Sequence, residues 1–442
     1  MNLIYKIKTF NKVNSNMSNA IKVLITNIFI IGINLITGVL TARYLGVQGR
    51  GEQAAMIMWP QLISYSLTIG LPASIIYNMK KNKMNSNGLY TACLILALIL
   101  SFFAFLIGYI GIPFWLDNYN QKVIHLSQFF MFLTPFSLLS VVSLPVLKLR
   151  NDYFIFNRLL YLIPLSTLFI LMILIVFHLN SPYTFAFAYL MPNVPVTLYL
   201  IFKLLNSYKP SFHGLKQNIN NLLSYGVRAY GMDLLNTISQ NVNQILIAAY
   251  LSASSMGLFV VAFSISKMVN IFQNAIVDVL FPMIAGEENN SVIELTSKTT
   301  RIAGFIISIF GLILFILAPF LLKILYGEEF SGALLLLRIL IISTILNSIS
   351  WILSQAFMSL NRPGVVTLLQ LFNLILFIPV CMFFANSLGL NGVGTAFLIS
   401  SCSRILLVLI CFPLILKVSV PKLFILKEDF LHIKNRVLKF IK

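Results

Sequence analysis

Long apolar runs separated by short polar breaks dominate the chain, and their lengths predict helices. Twelve runs stand out, at roughly 20–43, 53–78, 88–114, 125–147, 155–178, 183–204, 222–250, 256–284, 300–324, 332–358, 364–386 and 391–416. Each is long enough to cross about 30 Å of hydrocarbon at about 1.5 Å per residue. The expected fold class is therefore an all-α polytopic membrane protein with twelve transmembrane helices.

Within four of these runs the polar residues fall at helical offsets. Asn27, Asn34 and Thr37 share one face of the first run, and Gln61, Ser64 and Thr68 one face of the second. Asp233, Gln240 and Asn243 do the same in the seventh, and Lys267, Asn270, Asn274 and Asp278 in the eighth. A shift of 206 residues superposes the first pair of runs on the second. It also brings "LTARYLGVQGRG" (40–51) onto "LIAAYLSASSMG" (246–257), with five identities. Polar faces are costly against lipid, so four matched ones predict a shared polar lumen. Hydrogen bonding between adjacent helices is the plainer explanation of the same residues. Six runs per half, both halves entering from one side, give a parallel pseudo-repeat whose site opens alternately to each face. The expected boundaries are 1–19 for an N-terminal segment, 20–205 and 222–416 for the two six-helix halves, 206–221 for a linker and 417–442 for a tail.

Composition changes little in this picture. The 442 residues are 59% hydrophobic and 10% charged, with a mean hydropathy of +0.91. Soluble domains average about 25% charged residues. The net charge of +19 would suit nucleic acid in a soluble protein. Here the basic residues lie in short loops and at the ends, and no nucleic-acid partner is expected. With the N-terminus in the cytoplasm, inside segments hold 23 of the 31 Lys and Arg and outside loops hold four: Arg43, Arg50, Lys122 and Lys323. That bias predicts cytoplasmic termini. The polar start lacks a cleavage pattern and reads as preceding an uncleaved first span. The tail alternates basic and apolar residues and is expected on the inner membrane surface.

Candidate chemistry is sparse. Cys93, Cys381, Cys402 and Cys411 sit in apolar runs without a CxxC pair and read as packing residues. The four histidines are scattered, so neither a metal nor a cofactor is expected. "GVQGRGE" (46–52) lacks the GK[ST] of a phosphate loop and follows a membrane run. It reads as a tight turn whose glycines permit positive φ. Ionisable residues inside runs are Arg228, Lys267, Arg338 and Arg404 against Asp233 and Asp278, a basic excess that suits an anionic cargo.

"TARYLGVQGRGEQAAMI" followed by "GLPASIIY" resembles the first two spans of the Wzx-type polysaccharide, or O-antigen, flippases. These belong to the multidrug/oligosaccharidyl-lipid/polysaccharide exporter superfamily. "MGLFVVAFSISKM", "VLFPMIAG", "YGEEFSGALLLLRIL", "LSQAFMSLNRPGVV" and "LGLNGVGTAFLIS" are similar to its later segments, in order. The chain departs at Asn243 and Gln244, where the family often carries an acidic residue.

The resemblance implies a MATE-like architecture and transfer of undecaprenyl-diphosphate-linked oligosaccharide across the inner membrane. It admits membrane lipids, a polysaccharide polymerase and a chain-length regulator as partners. The expected cargo-binding residues are the cations Lys267, Arg228, Arg404 and Arg43. Asn270, Asn274, Gln240, Asn34 and Gln61 are expected to meet sugar hydroxyls. Asp233 and Asp278 are expected to gate or couple, with a structural salt bridge as the plainer role. Arg43 either receives the diphosphate or contacts lipid phosphates. A cation-coupled drug exporter and a membrane polymerase or acyltransferase remain the rival classes.

Overall fold

The computed structural model describes residues 2–284 and 286–423, and the described residues are mostly helical. The helices are α1 (Asn2–Ser66), α2 (Leu71–Lys81), α3 (Ser86–Trp115), α4 (Gln121–Phe130), α5 (Thr134–Leu149), α6 (Tyr153–Val176) and α7 (Pro182–Leu190). They continue as α8 (Asn193–Ser207), α9 (Leu215–Tyr250), α10 (Ala253–Ser266), α11 (Asn270–Ile284), α12 (Asn289–Leu321), α13 (Leu334–Ser359) and α14 (Pro363–Cys411). The expected amphipathic tail lies outside the described residues from position 424 on, as do the side chains of the first 25 residues.

Among the described residues nine helical segments are long and apolar enough to cross a membrane, so the chain is a multi-pass membrane protein. Phe29–Lys81 and Pro363–Leu416 run to 53 and 54 residues. That is about 80 Å of helix, well over twice what one crossing of about 30 Å needs. Each holds two of the expected spans, and each is interrupted by a glycine outside helical geometry, Gly46 (φ 66°) and Gly389 (φ 57°). The expected span 222–250 lies in the 36-residue helix α9, which is absent from the nine.

The helices pack into two compact units. One comprises residues up to Gln244 with Ser252–Gly257; the other comprises Ile245–Leu251 and the chain from Leu258 onward. The core of the first unit is built where α2, α3, α5, α6 and α8 meet, around Ile75, Tyr90, Leu138, Val142 and Leu200. Polar residues fasten α9 to this core. Ser74 Oγ donates to the Leu222 carbonyl (2.7 Å), Asn85 Nδ2 donates to Asn218 Oδ1 (2.7 Å), and Tyr77 stacks on Tyr225 with centroids 4.1 Å apart. The second unit is built from α11 against α12 and α13, and α13 against α14, with Phe259, Phe377 and Phe397 interlocking in its core.

The stretch 46–52 is a turn only at its first residue. Gly46 makes the turn, and the rest begins the next helical stretch. Arg50 is packed inside the first unit: it is 9% exposed and donates to Gln53 Oε1. Gly51 serves close approach instead of positive φ. A Cβ there would lie 1.7 Å from the Ala253 carbonyl oxygen, and one at Gly257 would lie 2.0 Å from that of Val47.

Candidate functional site

The second unit gathers a polar row across three helices. It begins where α10 gives way to a 3₁₀ turn, Lys267–Val269, before α11 resumes at Asn270. Such a turn inside a long helix leaves carbonyls less well paired and often marks a functional hinge. Ser266 absorbs part of the change by donating to the Phe263 carbonyl at 3.0 Å. Lys267 is exposed at this turn, with its Nζ 4.2 Å from the Phe263 ring centroid. Among the described residues it has no carboxylate within 4.0 Å.

Asn270, one turn further, accepts from Ser348 Oγ of α13 at 3.5 Å. The neighbouring Asn347 Nδ2 donates to Ser401 Oγ of α14 at 2.7 Å, and Ser401 in turn donates to the Phe397 carbonyl. Arg404, three residues past Ser401, sets its guanidinium carbon 5.7 Å from the Trp351 ring centroid. Ser400 donates to Asn373 Oδ1 at 2.8 Å, joining the stretches of α14 on either side of Gly389. The row is thus Lys267 and Asn270, then Ser348 and Asn347, then Ser401 and Arg404. Two cations stand at its ends, with amides and hydroxyls between. Each cation rests on an aromatic face, an attraction of about 0.5–1 kcal/mol where exposed. A cation on an aromatic face keeps its N–H donors available to an anion, since the ring accepts no conventional hydrogen bond.

The other expected site residues divide sharply. Asn274 and Asp278 continue the α11 face and are exposed, and Asp278 has no ion-pair partner among the described residues. Asn274 Oδ1 accepts from its neighbour Gln273 at 3.3 Å. Arg228 and Gln240 lie in the first unit. Arg228 is exposed but spends its guanidinium on Ser224, donating to its carbonyl (2.7 Å) and hydroxyl (2.8 Å). Gln240 bonds Asn236 one turn back. Asn34 and Arg43 are exposed on α1, and Gln61 is half-buried there. The Asp233 side chain lies outside the described residues.

Three members of the expected polar faces are packing residues. Thr37 is buried and donates to the carbonyls of Ile33 and Asn34. Ser64 is buried and bonds the Pro60 carbonyl, and Thr68 the Tyr65 carbonyl. In apolar surroundings a hydroxyl satisfied by its own helix needs no lumen. Cys402 is likewise not packed, as its position in an apolar run suggested, but exposed. Sequence reasoning missed Asn347, Ser348, Trp351 and Ser401. On α13 a signal was present: Ser343, Asn347, Ser350 and Ser354 recur at offsets of three, four and seven through an otherwise apolar run.

Known proteins share the family and the fold. The family described as "polysaccharide biosynthesis protein" matches residues 39–335. The probable low-salt glycan biosynthesis flippase Agl15 of Haloferax volcanii is 24% identical over 195 residues. That stretch is 42% of this chain and spans only 40% of the relative. Among solved structures, the lipid II flippase MurJ in an inward closed conformation gives a TM-score of 0.75 at 14% identity, covering 93% of this chain and 89% of that one. An inward-facing multidrug-resistance MATE transporter of the MOP superfamily gives 0.70 at 16% identity, covering 88% and 95%.

Proposed function

Because the chain belongs to the polysaccharide biosynthesis protein family and has the fold of the MOP superfamily, we propose that it is a flippase for a lipid-linked saccharide. Its cargo is undecaprenyl-diphosphate-linked oligosaccharide, an O-antigen or capsule repeat unit. It carries that cargo from the inner to the outer leaflet of the cytoplasmic membrane by alternating access, as a carrier and not an enzyme. A polysaccharide polymerase and a chain-length regulator would act on what it delivers.

One observation carries the reading: the row from Lys267 to Arg404. Cations at its ends suit a diphosphate, and the amides and hydroxyls between them suit sugar hydroxyls. A drug exporter for cationic compounds would want carboxylates at those ends. An inside-negative potential favours outward movement of the anionic headgroup by about 2.3 kcal/mol per charge per 100 mV. Asp233 and Asp278 take the gating or coupling role.

The test is reconstitution. Vesicles carrying the purified protein and a radiolabelled undecaprenyl-diphosphate disaccharide should expose that sugar to an external glycosidase faster than protein-free vesicles. Equal rates would overturn the assignment.

The topology belongs to the same proposal: twelve spans in two six-helix halves, with both termini cytoplasmic. Ser252 and Lys81 are both exposed. In a background with Cys402 replaced by serine, a membrane-impermeant maleimide is expected to label Ser252→Cys in intact cells. It should label Lys81→Cys only after permeabilisation. Labelling of Lys81→Cys from outside would reverse the orientation.

A further inference from the structure

Within the segment Phe29–Lys81 the helix breaks a second time, well past Gly46. Regular winding stops at Ser66, the next four residues turn, and α2 starts at Leu71. Ile69 lies in that turn at φ 45° and Gly70 at φ 67°. A β-branched residue at positive φ is strained, and such strain persists only where the surroundings hold it. Here α9 does the holding. Tyr230 Oη donates to the Ser66 carbonyl, at the end of the helix before the break. A Cβ at Gly70 would lie 2.3 Å from the Gly226 oxygen, and one at Gly226 would lie 2.5 Å from the Ile69 oxygen, so the two backbones touch. Ser74 then bonds the Leu222 carbonyl. The pairs 66 with 230, 70 with 226 and 74 with 222 advance one turn at a time in antiparallel register, straight through the break. Beyond them the seam continues in the Tyr77–Tyr225 stack, in Asn78 Nδ2 donating to the Asn221 carbonyl at 3.4 Å, and in the Asn85–Asn218 bond.

This seam is held weakly for its length. It consists of hydrogen bonds, one ring stack and bare backbone contact, and no ion pair crosses it among the described residues. To the buried core of the first unit α9 supplies Leu222 alone, with Leu215, Ile219 and Leu223 half-buried beside it. Touching glycines have no side chains to interlock, so they separate without any change of rotamer. Amides and hydroxyls released by parting can bond water or a sugar hydroxyl, so a polar seam opens at less cost than an apolar one. Lys80, Lys81 and Lys83 stand exposed at its far end, where they attract an anionic headgroup.

We infer that the seam between α2 and α9 is a gate for the cargo headgroup, with Ile69–Gly70 as its hinge and Tyr230 as its latch. The inference rests on the flippase reading above. While the seam is closed, α9 holds Ile69 in its strained conformation. When it parts, the turn relaxes to ordinary φ, and the released strain offsets some of the lost contacts.

Asn218, 1% exposed on the seam, reports the gate. The four native cysteines are replaced by alanine, and Asn218→Cys in the purified full-length protein is treated with a water-soluble maleimide. A seam that parts gives steady labelling. Tyr230→Phe removes the latch and should speed labelling about two- to tenfold, the worth of one hydrogen bond. Ile69→Gly removes the strain that favours parting and should slow labelling about fivefold or more. Absent labelling would overturn the gate, as would rates that the two substitutions leave unchanged or shift in the same direction. In the vesicle assay, Tyr77→Cys and Tyr225→Cys joined by a short bifunctional methanethiosulfonate should stop exposure of the radiolabelled disaccharide, and a reducing agent should restore it. Undiminished flipping by the cross-linked protein would also overturn the gate. The maleimide rates need no cargo. Parent vesicles that flip nothing, beside rates that shift as expected, would therefore refute the cargo assignment and leave the gate in place.

Discussion

Gly51→Ala should destabilise the protein by at least about 1–3 kcal/mol, the usual cost of forcing atoms into a packed interior. Its unfolding equilibrium constant should rise about five- to a hundredfold, since 1.4 kcal/mol is about a factor of ten. The new methyl would sit 1.7 Å from the Ala253 oxygen, 2.6 Å from its carbon and 2.9 Å from the Gly257 nitrogen. All three are backbone atoms, so no rotamer change relieves the clash. The crossing of the two segments must open. Gly257→Ala meets the same crossing from the other side, through Val47, and should behave alike. The two substitutions share partners, so their combined effect should be less than the sum. Gly38 is the control: an added Cβ there meets nothing within 4 Å. Gly38→Ala should leave export intact and raise helix stability by about 0.5–1 kcal/mol. Thermal unfolding of the three purified variants checks the ranking. A Gly51→Ala protein as stable as Gly38→Ala would show that the crossing imposes no constraint.

That crossing shows where the sequence was legible and where it was not. The repeat offset of 206 pairs Gly51 with Gly257, and these two backbones touch. The offset alone, however, could not separate a glycine kept for its φ from one kept for close approach. Only Gly46 of that stretch has positive φ. Apolar runs were readable because membrane length is a local property of sequence. The polar faces were readable only in part. Thr37 and Ser64 have the same spacing as Asn34 and Gln61, yet they turn their hydroxyls onto their own helices. A threonine or serine can satisfy itself in this way, while an asparagine or lysine seldom can, so hydroxyls inflate any periodicity count. The Asn347–Ser401 bond and the Trp351–Arg404 contact join residues more than fifty positions apart. Nothing in a single run announces such a pair. Arg50 shows the reverse failure: a charged residue at the end of a run reads as surface, but here it is buried.

Lys267→Gln is expected to reduce export by about ten- to a hundredfold at normal membrane abundance, the loss of a charge-assisted hydrogen bond worth about 1.5–3 kcal/mol. An ammonium near mid-membrane costs about 2.5–3.5 kcal/mol to insert, so its presence needs a compensating partner. Phe263 supplies a ring face but no countercharge. Asp278 lies eleven residues along, about 16 Å at helical rise, which is too far for direct pairing. Two partners then remain, the diphosphate of the proposed cargo and Asp233, and they predict different variant patterns. A diphosphate contact lets Lys267→Arg keep part of the export, because the charge stays while the donor geometry changes from a compact ammonium to a planar fork. It also predicts that adding Asp233→Asn to Lys267→Gln rescues nothing. Neutralisation of Asp233 predicts the opposite, because removing both charges leaves neither without its counterion. Arg404→Gln supplies an internal comparison, since it takes the cation from the other end of the row while Trp351 remains. If both ends hold the same diphosphate, the two single losses should be similar and the double variant should lose less than their sum. Export restored by the Lys267→Gln, Asp233→Asn pair would remove Lys267 from the cargo site and leave Arg404 as the only cation in the row.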